Sequence, residues 1–115
     1  MARNNLGLPV VVTNDINNPL NTTTTSSALP TGTDRSGTAT TSSAPLAAAN
    51  PARRGLNIQN IGANNIGVNE FGGTAAIGTA GTYTLVPQAT MNVRTAGAIN
   101  VIAATGPTAF TATEF

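Results

Sequence analysis

The chain has 115 residues, of which 8% are charged, and a formal net charge of +1. It holds no cysteine and no histidine, which removes disulfides, thiolate metal sites, the commonest metal ligand and the usual neutral-pH base. Its basic residues are all Arg (Arg3, Arg35, Arg53, Arg54, Arg94), too few to steer toward nucleic acid or to keep copies of the chain apart.

In chain order, Leu6, Leu8, Val10, Val11 and Val12 form a strand-like run around Pro9. A proline inside such a run confines it to a sheet edge or a pairing arm. Asn14-Asp15 and Asn17-Asn18-Pro19 are turn signals. This first piece reads as an extended anchor that adds itself to another molecule's sheet edge. Its apolar contacts would be Leu6, Leu8, Val10, Val12 and Ile16.

Residues 21–46 are mostly Thr, Ser, Ala, Gly and Pro, with Leu29 the one larger apolar residue before Leu46. Such a segment buries too little to offset the roughly 1–2 kcal/mol of backbone entropy lost per ordered residue. Ser36 to Ser43 is the one stretch that reads as a weak strand. Residues 1–46 are therefore expected to form an extended N-terminal arm that takes its order from a partner. No run of eighteen apolar residues spans a membrane, and Leu8 to Val12 is too short for a secretory signal. The expectation is a protein made and kept in a cytoplasm until it assembles.

Residues 47–115 read as a compact all-β module, a small β-sandwich or barrel. Asn50-Pro51 opens it with a turn. Leu56 to Ile61 alternates, and Gly62 to Asn65 has the composition of a hairpin connection to a return strand at Ile66 to Phe71. In that reading Gly55 and Gly62 supply turn conformations, and Leu56, Ile58, Ile66 and Val68 form one apolar face. Further strands are expected at Thr82 to Val86, Met91 to Arg94, Ala98 to Ala103 and Thr108 to Phe115. Strands recurring about every ten residues between turn signals are the pattern of a sandwich or barrel. No segment has a helical period.

The sequence offers little chemistry. Without His, Cys or Lys, no base stands ready to activate a Ser or Thr nucleophile. Glu70 and Glu114 are the carboxylates of the module, and both read as solvated strand ends. Gly73 to Gly78 has the spacing of a phosphate loop, but Thr79 follows where Lys is required. Arg53-Arg54 is the one basic pair. It reads equally as a polar anchor to an acidic neighbour and as two exposed turn residues. An enzyme is not expected, nor is a cofactor.

The stretch from Ala47 to Ala76 resembles small virion proteins of tailed bacteriophages. It carries N-P-x-R-x-G-L-x-I-Q-N at Asn50 to Asn60 and F-G-G-T-A at Phe71 to Ala75. Ala98 to Gly106, followed by a Thr-rich last strand ending in Thr113-Glu114, is similar as well. The resemblance covers residues 47–115 and implies a β-rich structural protein of the capsid decoration, cement or head-fibre kind. Its implied partners are the major capsid protein or other virion proteins, and its implied place is the virion, on the capsid surface. It implies a homo-oligomer, a trimer being the natural guess, that binds neither nucleic acid nor membrane. The alternatives are a neck, tail or head-fibre attachment component, and a carbohydrate-binding adhesion module. The last needs exposed rings, for which Tyr83, Phe71, Phe110 and Phe115 are the candidates.

Overall fold

The structure is a computed structural model, and it describes residues 31–115. Leu6, Leu8, Val10, Val12 and Ile16 lie outside the described residues. Nine strands follow in order: β1 (Thr33–Asp34), β2 (Gly37–Ala39), β3 (Ala44–Ala47), β4 (Leu56–Asn60), β5 (Ile66–Asn69), β6 (Thr82–Leu85), β7 (Thr90–Val93), β8 (Ile99–Ala103) and β9 (Thr108–Glu114). The described residues contain no helix.

The strands make two antiparallel sheets. Sheet I has the order β3-β8-β5-β6, and sheet II the order β1-β9-β4-β7, with β2 also on β9. From β4 onward the chain passes repeatedly from one sheet to the other. Among the described residues, only the β5–β6 ladder joins strands adjacent in sequence. In β9, Thr108, Phe110, Ala112 and Glu114 are buried and the residues between them exposed, the period-two alternation of a half-buried strand. Leu56, Ile58, Val93, Phe110 and Ala112 enter the core from sheet II, and Ile66, Val68, Leu85, Ile99 and Val101 from sheet I. Each large side chain so buried contributes about 1.5–3 kcal/mol.

Gly62 to Asn65 is not a hairpin. It carries the chain from β4 in sheet II to β5 in sheet I, and the two strands do not pair. Leu56, Ile58, Ile66 and Val68 therefore meet across the sandwich rather than side by side. The corner is held by Asn60, whose side chain is fully buried. Asn60 Nδ2 donates to Asn64 O (2.7 Å) and Leu85 O (2.9 Å), while Oδ1 accepts from Gly62 N (2.9 Å). Gly62 is needed for close approach rather than for a turn angle. A Cβ there would stand 2.5 Å from Thr108 Cγ2.

The sandwich also takes in residues assigned above to the arm. β1 and β2 pair with β9, and β3 pairs with β8 through Ile99↔Ala47 and Val101↔Ala44. Polar side chains help to hold this segment: Ser36 Oγ lies 3.1 Å from Thr111 Oγ1 and accepts from Ala112 N (3.0 Å). Leu46 and Ala47 are buried in the core. Pairing to strands already in place supplies what the composition of the segment lacks.

Candidate binding face and the buried ion cluster

The alternation that places Phe110 and Ala112 in the interior also places Glu114 there, 3% exposed. Its partner is Arg53, whose side chain has no exposure at all. The turn at Asn50 delivers Arg53: Asn50 Oδ1 accepts from Ala52 N, and Asn50 O accepts from Arg53 N. Arg53 Nε donates to Glu114 Oε2 at 2.8 Å. Its Nη1 donates to Thr95 O and Gly97 O, both at 2.8 Å, and its Nη2 to Ala48 O at 2.6 Å. The other carboxylate oxygen, Oε1, accepts from Arg35 Nε at 2.9 Å. Asn50 Nδ2 donates to Oε2 at 3.3 Å.

One carboxylate and two guanidiniums thus join β9, the β1–β2 link, the turn before β4 and the turn before β8. Burial alone pushes the Glu114 carboxyl up, but hydrogen bonds from Arg53, Arg35 and Asn50 outweigh it and hold the group below its ordinary value. Glu114 is therefore not a solvated strand end. Arg53 is not available as an anchor to a partner, because its guanidinium is enclosed and spent on groups of its own chain. Arg54, next in sequence, is exposed. It borders a surface depression with Gly55, Asn57, Asn92, Arg94 and Phe115. Arg54 stays a candidate contact; the paired-Arg motif separates into one interior and one surface residue.

The two sheets present different outer faces. Over sheet I lies the chain's own loop between β5 and β6. Asn69 Oδ1 accepts from Phe71 N (2.9 Å) and Gly73 N (3.3 Å), Asn100 Nδ2 donates to Gly73 O (2.7 Å), and Ala75 N donates to Ser43 Oγ (2.9 Å). The loop packs so closely that a Cβ on Gly67 would meet Thr82 Cγ2 at 2.7 Å and Ile77 Cδ1 at 2.9 Å.

Among the described residues, no loop covers sheet II in this way. The registers Gln59↔Thr90, Gln59↔Thr111, Asn57↔Asn92 and Asn57↔Thr113 align two polar rows across β7, β4 and β9. These side chains line a shallow depression of about 360 Å³. Gln59 Nε2 donates to Gln88 O (3.2 Å), while the side chains of Asn57, Asn92, Thr90 and Thr113 make no hydrogen bond among the described residues. The lining of this depression is amides and hydroxyls without a charge; Asp34, the register partner of Thr113, and Arg54 and Arg94, which share a second depression with Asn57 and Asn92, stand at its border. No cluster of His, Cys, Asp and Glu suited to a metal occurs among the described residues. The composition pointed to polar strand faces but not to their register, so this array was missed as a unit.

The four candidate rings do not form a stacking platform on that face. Phe110 is buried, and Phe115 lies against Gly55. Phe71 and Tyr83, 64% and 50% exposed, belong to the β5–β6 end and β6 edge of sheet I. Comparison with protein-family models, curated proteins and solved structures returns no match.

Proposed function

We propose that this protein is a structural component of a tailed-bacteriophage virion, a decoration or cement protein of the capsid surface. Its sandwich docks on major capsid subunits, and its N-terminal residues run along neighbours. The observation that supports this reading best is the amide and hydroxyl depression of sheet II, lined without a charge and left uncovered by the described residues. Such a face forms hydrogen bonds with a partner without stripping water from an ion, which is the costly step when charges are buried. Each contact is weak, and repetition over a symmetric shell multiplies the gain. The sequence resemblance of residues 47–115 points the same way.

The test is co-sedimentation of the full chain with phage shells. Asn57→Glu together with Thr90→Glu places two charges in the array, at exposed positions whose side chains hold no other strand. The variant is expected to bind at least tenfold more weakly while melting as the parent does. Deletion of residues 1–20 is expected to abolish shell binding. Undiminished binding by both would overturn the proposal. Recovery of the protein only with neck or tail fractions would favour the attachment reading instead.

A further inference from the structure

The β3 edge of sheet I carries Pro45 and a register shift opposite Ile99 and Asn100. The edge of sheet II made by β1 and β2 is broken into pieces of two and three residues and bears Asp34. Short strands, prolines, bulges and charges keep an edge from pairing. β6 and β7 lie at the other ends of their sheets, and among the described residues nothing pairs with the outer side of either.

The registers fix which backbone groups these two edges offer. Along an antiparallel strand, successive residues turn their N–H and C=O to one neighbour and then to the other. Ala104 N donates to Asn65 O at 2.9 Å, which continues the β5–β8 register. Gly67 therefore bonds toward β8, and Ile66 and Val68 on either side of it bond toward β6. Their partners Leu85 and Tyr83 point inward, so Thr82, Thr84 and Val86 point out. Two of those outward groups are closed within the chain: Thr82 N donates to Thr79 O (3.1 Å), and Val86 O accepts from Ala89 N (2.9 Å). Thr82 O, Thr84 N, Thr84 O and Val86 N stand outward with no partner among the described residues.

We propose that a second copy of this chain pairs with β6, antiparallel, about a two-fold axis at Thr84. Thr84 N and O then bond to Thr84 O and N of the other copy. Val86 N of each copy donates to Thr82 O of the other, and every open group is used. The two closed groups supply the selectivity. An arbitrary strand laid on this edge brings a carbonyl to Thr82 N and an N–H to Val86 O, and finds both taken. Burying such groups unpaired is costly. In a second copy the groups at those places are Val86 O and Thr82 N, each already satisfied inside its own chain. Charge does not oppose the contact, since residues 79–89 hold no charged side chain. Apolar surface gathers there too: Tyr83 and Val86 are about half exposed, and Tyr83 comes opposite Leu85 of the other copy. Phe71 comes within 3.8 Å of where a Cβ on Gly81 would be, at the end of the paired stretch.

β7 is as open, yet its pattern selects no partner. Asn60 N donates to Ala89 O, so Met91 and Val93 bond toward β4 while Thr90 and Asn92 point out. Both groups of each stand outward with no local bond among the described residues, which any extended strand matches. The exposed Arg94 follows at its end, and its outer side chains line the sheet II depression. The β6 contact is isologous and closes at two copies, not at the three of the sequence resemblance. Its paired stretch, residues 82–86, is small, and the dimer is correspondingly weak.

The absence of cysteine lets each single-cysteine variant report on one place. Hydrogen-bonded partners across an antiparallel pair stand about 5.5 Å apart between Cα atoms, within reach of a disulfide. Thr84→Cys in the full chain is expected to give a covalent dimer under mild oxidation at least roughly tenfold faster than Asn92→Cys on β7 or Thr38→Cys on β2, both exposed. Sedimentation of the parent chain should show a reversible monomer–dimer equilibrium below about 1 mM. Thr84→Pro removes two of the intermolecular bonds and none within the chain, and should weaken dimerisation at least roughly tenfold. Thr84→Lys keeps the backbone donor and sets like charges opposite one another; it should weaken the dimer as well, and it decides the matter if the proline variant does not fold. A parent that stays monomeric, a dimer that the variants leave unchanged, or equal oxidation of the three cysteine variants would overturn the proposal. Because no shell is present in these assays, their failure leaves the capsid reading standing.

Discussion

Replacing Glu114 with Gln keeps the shape of the side chain and removes its charge. Arg53 would then be left as a cation with no exposed side-chain surface, keeping its three carbonyl partners but no counter-charge. Breaking a buried pair from one side costs about 3–5 kcal/mol. At about 0.05–0.15 kcal/mol per residue, a domain of this size has only about 4–13 kcal/mol in total. Glu114→Gln should therefore lower the melting temperature by about 15–30 °C, at roughly 4–8 °C per kcal/mol. The assay is thermal and urea unfolding followed by circular dichroism, at low and high salt. The loss should be nearly independent of salt, since an enclosed pair is poorly screened. The double variant Arg53→Met with Glu114→Leu should recover only part of it, because no charge then remains enclosed but Thr95 O, Gly97 O and Ala48 O lose their donor. A loss of under about 1 kcal/mol, the range of exposed pairs, would refute the reasoning.

Stability should be flat from about pH 5 to 8, for no histidine or cysteine titrates there. Glu114 is held below its ordinary value of 4.5, so its contribution is complete above that value and is lost as pH falls through the lower, folded-state value. Asp34 adds a drift of the same sign, lowered by hydrogen bonds from the Ser36 side chain and backbone; unfolding curves between pH 2 and 8 check both. Asn60→Leu should cost about 3 kcal/mol in urea unfolding, because Gly62 N, Asn64 O and Leu85 O all lose their partner. Gln88 has a φ of 71° in the turn that Ala89 N closes onto Val86 O at 2.9 Å. Gln88→Gly should raise stability by about 0.5–1 kcal/mol, glycine meeting no steric cost there, and a lowered melting temperature would contradict this.

Strand positions were largely legible, because alternation and turn residues are local signals. The reading of Leu56 to Ile61 became Leu56–Asn60, and that of Ala98 to Ala103 became Ile99–Ala103. Which strands pair was not legible. Gly62 to Asn65 has hairpin composition, yet what sends the chain to the other sheet is the buried side chain of Asn60, which satisfies its corner from within. The ion cluster was hidden by sequence distance, Glu114 standing 61 positions after Arg53. A signal existed: Glu114 shares the inward phase of Phe110 and Ala112, and a carboxylate there requires a cation. Residues 33–47 look unable to order themselves by composition, and by themselves they would be; their hydrogen-bond partners lie in β8 and β9.

That dependence has a bearing on synthesis. β9 is the centre of sheet II, flanked by β1 and β2 on one side and β4 on the other, and it is the last of the described strands to leave the ribosome. At roughly 5–20 residues per second, β1 waits several seconds for the strand it needs. A polypeptide stopped short of Thr108 would have every other piece and no way to close, so only finished copies become competent for the next step.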